Sequence, residues 1–215
     1  MAGEDDHKFK IVWANVALTI YLHIAAFYGL KASKTGGTHL LQMIMAIFGA
    51  FGITVSAHQL FSHQSFKANK KLKALLVFLH TTTCMYSLHD WTRVHRVHHK
   101  YNDTNADPHN SARGFFYSHV GWLLVEKHPD FKKFGERIDL RDIVADKLVM
   151  FQHKYFLILG LLTGFALPVS ISWVFFGDSF MSAFNYNCSR HLLVLHSLAM
   201  INSVAHTWGY RPFDK

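Results

Sequence analysis

Long uncharged stretches divide the charged residues of this 215-residue chain into blocks. Four of them cover residues 11–30, 35–66, 155–177 and 191–210. Each reaches the roughly 20 residues that a helix needs to cross a bilayer core of about 30 Å. A fifth run, 74–89, has 16 residues and ends in polar groups, so we place it at the interface or inside the protein. We predict an all-α integral membrane protein whose four transmembrane helices cover about 11–30, 39–58, 155–177 and 186–206.

Basic residues are concentrated in three parts of the chain. Residues 1–10, 62–154 and 207–215 hold 19 of the 22 lysines and arginines. Basic residues favour the cytoplasmic side of a membrane, and an even number of spans places both ends on one side. We therefore predict one domain, residues 1–215, with both ends and a long helical cap in the cytosol. Most of the +8 net charge then reflects topology, and with no nucleic-acid-binding motif we expect no nucleic-acid partner.

Three histidines, His95, His98 and His99, lie in the polar segment between the second and third predicted spans. Residues at i, i+3 and i+4 share one face of a helix, because each residue turns by about 100°. Imidazole is a common metal ligand whose other ring nitrogen is usually held by a carboxylate or carbonyl. Three nearby aspartates are candidates for that second contact: Asp90, Asp103 and Asp107. Taken alone, the pattern also fits a histidine-rich amphipathic helix that binds no metal.

Two further regions bring histidines to the same predicted membrane face. His58 and His63 lie at the end of the second predicted span. A spacing of five residues turns by about 140° on a straight helix. Both side chains therefore face one metal cluster only if the helix end bends, unless they bind different metals. Asn202 and His206 are four residues apart near the cytosolic end of the fourth span, so they point the same way. We interpret the ungrouped histidines as ordinary surface or interfacial residues: His7, His23, His39, His153, His191 and His196.

The six grouped histidines exceed the four ligands that one zinc ion takes, which favours two metal ions. The paired Glu-x-x-His signature of carboxylate di-iron bundles does not occur. Imidazole suits iron, copper, zinc and nickel. A histidine-rich site beside an apolar interior suits oxidation of a lipid by O2. An acyl chain gains about 0.8 kcal/mol per buried CH2 group, enough to hold it while one carbon pair reacts.

The segments that carry these residues resemble acyl-CoA desaturases of the stearoyl-CoA (delta-9) type, including their insect branch. The similarity covers essentially the whole chain and is most specific in HQLFSH, HRVHHKYNDTNADPHN, RGFFYSHVGWLLVEKHPD, KLVMFQ and NSVAHTWGYRPFDK.

The resemblance implies a di-iron enzyme of the endoplasmic reticulum membrane. Such an enzyme inserts a cis double bond into a fatty acyl-CoA, using O2 and electrons from cytochrome b5 and its NADH-dependent reductase. It further implies that the irons are bound by His58, His63, His95, His98, His99, His206 and, through a water, Asn202. In the family, positions matching Asn15, Arg93 and Lys127 hold the CoA group. Trp91 matches an aromatic residue at the bend of the acyl tunnel, and we place Ala46 at its blind end.

The sequence also departs from the family pattern. The family's third histidine box, a second HxxHH some thirty residues beyond the last span, is not in this chain. We therefore expect that the chain is C-terminally truncated and that, as it stands, it has no desaturase activity. Met85, Tyr86 and Ala199 differ from the usual residues at the tunnel bend, so we expect regiochemistry and chain length to differ too.

Three other functions fit parts of this pattern. Hydroxylation of the same kind of chain needs the same metals. A truncated, non-catalytic paralogue would associate only with lipids or with intact desaturase subunits. A metal transporter is disfavoured, because it would carry ionisable ligands at mid-membrane, whereas these histidines gather at one predicted face.

Overall fold

The computed structural model describes residues 7–32 and 35–208, and most of these residues are helical. Within the described ranges the only β-pairing is an isolated antiparallel bridge between Ile11 and Val125. The helices are α1 (Trp13–Ala32), α2 (Gly36–Phe51), α3 (Lys70–Thr81), α4 (Leu88–Lys100), α5 (Phe115–His119), α6 (Pro129–Gly135), α7 (Arg141–Ala145), α8 (Lys147–Leu161), α9 (Leu167–Phe176) and α10 (Phe180–Thr207). Two π-helices continue α2 and α8, namely π1 (Gly52–Ser62) and π2 (Leu162–Ala166).

Among the residues that the structure describes, three helical stretches are long and apolar enough to cross a membrane: Trp13–Ala32, Gly36–Ser62 and Lys147–Phe176. These stretches contain or overlap the first three predicted spans. The prediction of a helical protein with membrane-type helices is therefore confirmed. The fourth predicted span lies inside α10, which is not among these stretches. Polar residues such as Asn187, Arg190 and His191 lower the hydropathy of α10. The fourth span and the cytosolic cap remain predictions.

The chain folds into two compact units, each assembled from separate segments. Of the described residues, unit one contains 7–19, 96–138 and 196–208. Unit two contains 20–32, 35–95 and 139–195.

In unit two, π1 packs very closely against α3. A Cβ atom added to Gly52 would lie 2.4 Å from the backbone nitrogen of His80 and 2.5 Å from the carbonyl carbon of Leu79. Only glycine allows two backbones to approach this far. Helix α2, which precedes π1, buries one face whose residues are spaced three or four apart: Thr38, Gln42, Ala46 and Gly49. Gly52, in the second predicted span, thus serves close helix packing.

Pro168 interrupts the third apolar stretch. Proline has no N–H, so the carbonyl of Gly164, four residues earlier, loses its usual α-helical donor. The π2 turn lies at this point, and two side chains of α10 donate to the Gly164 carbonyl: Asn187 Nδ2 at 3.1 Å and Arg190 Nη2 at 2.7 Å. Arg190 is only 3% exposed. Its charge is therefore solvated by protein carbonyls and an amide, which joins α10 to the interrupted helix.

In unit one, the segment before α1 pairs with the segment before α6. The Val12 N–H donates to the Leu124 carbonyl at 2.8 Å, and the Glu126 N–H donates to the Lys10 carbonyl at 2.9 Å. The Asn15 side chain adds a hydrogen bond from Nδ2 to the Leu123 carbonyl at 2.7 Å. These bonds fix the start of α1 against residues 123–126.

Candidate metal centre

The π-helical winding of π1 brings His58 and His63 together. In a π-helix the hydrogen bond joins residues i and i+5, and the His63 N–H donates to the His58 carbonyl at 3.0 Å. The Ser62 hydroxyl repeats the same spacing by donating to the Ala57 carbonyl at 2.7 Å. The two imidazole centroids are 4.5 Å apart. From the sequence, the two histidines required either a bend at this helix end or different metal ions. The structure brings the two rings together with the wider winding of a π-helix.

His95 of α4 completes a group of three imidazoles in unit two, which we call the three-histidine cluster (His58, His63 and His95). His63 Nε2 lies 3.0 Å from His95 Nε2, and the His58 and His95 centroids are 4.7 Å apart. One potential ligand atom from each of the three lies within 4.8 Å of the others. Nitrogens bound to one metal ion at about 2.0–2.1 Å are roughly 3 Å from one another. The donor atoms and spacing of the three-histidine cluster therefore fit one transition-metal ion.

Trp91 sets the orientation of one of these imidazoles. Its ring stacks on His95, one helical turn later, with centroids 4.7 Å apart and planes 19° apart. Trp91 is itself buried. His99 follows His95 by one further turn of α4, so the three side chains lie along one stripe of the helix. Arg93, also on α4, is half-buried.

A second histidine group lies in unit one. His98 contacts His99, His109 and His206 with ring centroids 5.5, 5.3 and 5.6 Å apart. His98 Nδ1 lies 2.8 Å from Oδ1 of the buried Asp107. A carboxylate in this position fixes the ring and makes the other nitrogen a better ligand. His98 is thereby arranged to offer Nε2 to a metal ion.

Asp107 also organises the loop that follows α4. Its carboxylate accepts the backbone N–H of Asp103 at 3.0 Å and of His109 at 2.9 Å. Asp103 has a positive φ of 56° and accepts from the N–H and hydroxyl of Ser111 at 3.1 and 2.6 Å. Of the three aspartates considered from the sequence, Asp107 contacts a predicted ligand, whereas Asp103 holds the loop and Asp90 contacts Ser87, His89 and His153.

The sequence interpretation missed His109. Its ring is buried, lies 4.3 Å from the Trp122 ring, and has an Nδ1 atom without a hydrogen-bond partner in the described part of the chain. Burial, together with the charges of His98, Lys127 and His206, lowers the pKa of His109 well below its ordinary value. His109 is therefore a neutral imidazole at pH 7. Its only sequence signal was its position two residues after Asp107.

The remaining predicted site residues are divided between the units. Asn15, Lys127 and Asn202 belong to unit one. Asn202 precedes His206 by one turn of α10, and Lys127 Nζ lies over the Phe131 ring at 4.3 Å from its centroid. Ala46 belongs to unit two, where it is buried on the same face of α2 as Gln42. Neither amide atom of Gln42 has a hydrogen-bond partner among the described residues.

Comparison with known proteins identifies the family. Residues 35–215 match the fatty acid desaturase family, and the chain belongs to it. The chain is 43% identical to an acyl-CoA Delta-9 desaturase of Acheta domesticus, over 98% of this chain and 60% of that protein. It is 44% identical to a stearoyl-CoA desaturase of Homo sapiens, over 97% of this chain and 59% of that protein. An acyl-CoA desaturase of Cyprinus carpio is 44% identical over 97% of this chain and 68% of that protein. The chain thus spans about 60% of the length of the first two relatives.

Proposed function

We propose that this chain belongs to an acyl-CoA desaturase that inserts a cis double bond into a long-chain fatty acyl-CoA. Two hydrogens leave adjacent carbons of the chain. Together with two electrons and two protons from outside they reduce O2 to two waters. Cytochrome b5 and its NADH-dependent reductase deliver the electrons, and the enzyme resides in the endoplasmic reticulum membrane with both ends in the cytosol. The observation that carries the proposal is the three-histidine cluster, with His63 Nε2 and His95 Nε2 3.0 Å apart.

The residues that would hold two iron ions come from three chain segments: His58, His63, His95, His98, His99 and His206, with Asn202 acting through a water. Imidazole suits iron, which supplies the oxygen activation needed to break an unactivated C–H bond. The protein's part is to hold the imidazoles correctly turned. The stacking of Trp91 on His95 and the contact of Asp107 with His98 support that role.

The acyl chain would lie in an apolar tunnel that bends beside Trp91 and ends near Ala46. Each buried CH2 contributes about 0.8 kcal/mol, so a long chain is held firmly enough to present one carbon pair. Burial of both residues supports this placement. The small side chain of Ala46 would set the length of the tunnel, and the large side chain of Trp91 would set its bend.

The CoA group would be held outside the tunnel by Asn15, Arg93 and Lys127. Pairing of residues 10–12 with 124–126 fixes the chain next to both Asn15 and Lys127 in unit one. Lysine and arginine are suited to phosphate groups such as those of CoA. A basic segment at the start of α3 adds positive charge that favours an anionic membrane surface. Lys67 precedes the helix, and Lys70, Lys71 and Lys73 lie in its first turn.

Expression of the complete gene product in desaturase-deficient yeast tests the function. Cellular fatty acids are analysed by mass spectrometry with double bonds located by derivatisation. The wild type should form cis-monounsaturated acids, and His95→Ala should form none. His23→Ala, which changes an exposed residue of α1, should match the wild type. Hydroxy acids instead of alkenes would assign a lipid hydroxylase. Absence of both products, with normal protein levels, would refute the proposal.

A further inference from the structure

A second set of potential ligands lies in unit two where α4 begins. Ser87 precedes the helix, and its hydroxyl accepts the Asp90 N–H at 3.1 Å, as a helix-capping serine does. This contact places His89 and Asp90 in the first turn of α4, where the helix dipole favours a carboxylate. His89 Nδ1 lies 3.1 Å from Asp90 Oδ1.

Helix α8 supplies the third side chain, His153, and its position is fixed from within the core. Gln152 is 1% exposed; its Oε1 accepts the Leu88 N–H at 3.0 Å, and its Nε2 donates to the Thr81 hydroxyl at 3.3 Å. Gln152 therefore locks α8 to the first turn of α4. The next residue, His153, lies with its Nδ1 2.7 Å from Ser87 Oγ and 3.6 Å from Asp90 Oδ2.

The distances match a metal-binding geometry. One ligand atom from each of His89, Asp90 and His153 lies within 4.8 Å of the others, and the two imidazole centroids are 4.5 Å apart. Ligands at about 2.0–2.1 Å from a tetrahedral zinc ion are roughly 3.3 Å from one another, within the range found here. The side chains of His89, Asp90 and His153 are 17%, 44% and 34% exposed, so an ion and a water have access from solvent.

We propose that His89, Asp90 and His153 form a divalent transition-metal site of the zinc type, separate from the histidines of the candidate metal centre. Two imidazoles and one carboxylate are ligands of open zinc sites, with water in the fourth position. The ion would cross-link the start of α4 to α8 and so brace the helix that carries Trp91 and His95. The competing explanation is a hydrogen-bonded cap without a metal.

Zinc titration of the purified, chelator-treated chain in detergent tests the proposal. Bound zinc is counted by elemental analysis after desalting. His153→Gln should lower the bound zinc by about one ion per chain. His23→Gln, which changes an exposed residue of α1, should leave the bound zinc unchanged. The same difference should appear in a His95→Ala background, so failure of the candidate metal centre to bind metal would not hide it. Equal zinc content in wild type and His153→Gln would overturn the site.

A gain-of-signal variant distinguishes loss of a ligand from simple misfolding. With Co2+ in place of zinc, His153→Cys should give a thiolate-to-cobalt charge-transfer absorption that the wild type lacks, because Co2+ takes the same ligands. A His23→Cys control should give none. Absence of the band in a folded His153→Cys protein that still binds Co2+ would also overturn the proposal.

Discussion

Substitution of Gly52 by alanine tests the contact between π1 and α3. The added Cβ would lie 2.4–2.6 Å from three backbone atoms of Leu79 and His80. Carbon atoms in favourable contact are about 3.5–4.0 Å apart, so the two helices must separate by about 1 Å. No side chain can rotate away to relieve this clash, because the opposing atoms are backbone.

The expected cost is in the upper part of the range for overpacked cores, about 2–3 kcal/mol in the free energy of unfolding. For a chain of this length, 1 kcal/mol lowers the unfolding midpoint by about 2–4 °C, so Gly52→Ala should lower it by about 4–12 °C. Two glycines provide graded controls. A Cβ at Gly49 meets Thr83 Cγ2 at 3.3 Å and should cost less, whereas Gly36 has open space around it and should tolerate alanine.

A thiol-reactive fluorescent dye in detergent measures these midpoints, because the free Cys188 is fully buried in the folded chain. The predicted order of stability is Gly36→Ala above Gly49→Ala above Gly52→Ala. Equal midpoints for Gly36→Ala and Gly52→Ala would refute the close packing of π1 on α3.

Three further predictions concern the second metal-binding group, the substrate and pH. Asp107→Ala should weaken metal binding by about 10–100-fold, because His98 loses the carboxylate that fixes its ring. Competitive chelator titration measures the metal affinity, and an unchanged affinity would contradict the prediction. In the complete gene product, Lys127→Ala should raise KM for acyl-CoA several-fold while iron content stays constant. A change in iron content alone would assign Lys127 a structural role. Burial lowers the pKa of His80 to about 3, so the folded state binds fewer protons than the unfolded state below pH about 6.5. The free energy of unfolding therefore falls as pH drops below that value, by up to about 1.4 kcal/mol per pH unit. His80→Leu should remove that part of the acid sensitivity in urea unfolding at pH 7 and pH 5, and an unchanged difference between the two pH values would contradict it.

Hydrophobic patterning sufficed for the helical architecture because membrane-type helices are recognisable by their length and lack of charge. It did not reveal how His58 and His63 meet. A spacing of five suggests different faces of an α-helix, and the π-helical winding arises where Gly52 lets the backbone of α3 approach. Such an approach depends on tertiary packing that no local pattern encodes. Pro168, by contrast, indicated the interruption directly, although the two side chains of α10 that donate at that point were not predictable.

Candidate ligands that are close in sequence were recognised more readily than those brought together by folding. His95, His98 and His99 are recognisable by their helical spacing. His153 was interpreted as an ordinary surface residue, yet it lies against His89 and Asp90. His196 was interpreted in the same way, yet its Nδ1 lies 3.0 Å from His119 Nε2. These partners are 64 and 77 residues away in the chain, so only the packing of distant helices joins them.

Anaerobic reconstitution with Fe2+ tests whether histidines from separate chain segments hold metal. Iron is counted after desalting in the wild type, in His95→Ala and in His23→Ala. We predict bound iron in the wild type and in His23→Ala, and a loss of about one iron per chain in His95→Ala. Equal iron content in all three proteins, or none in any, would contradict it.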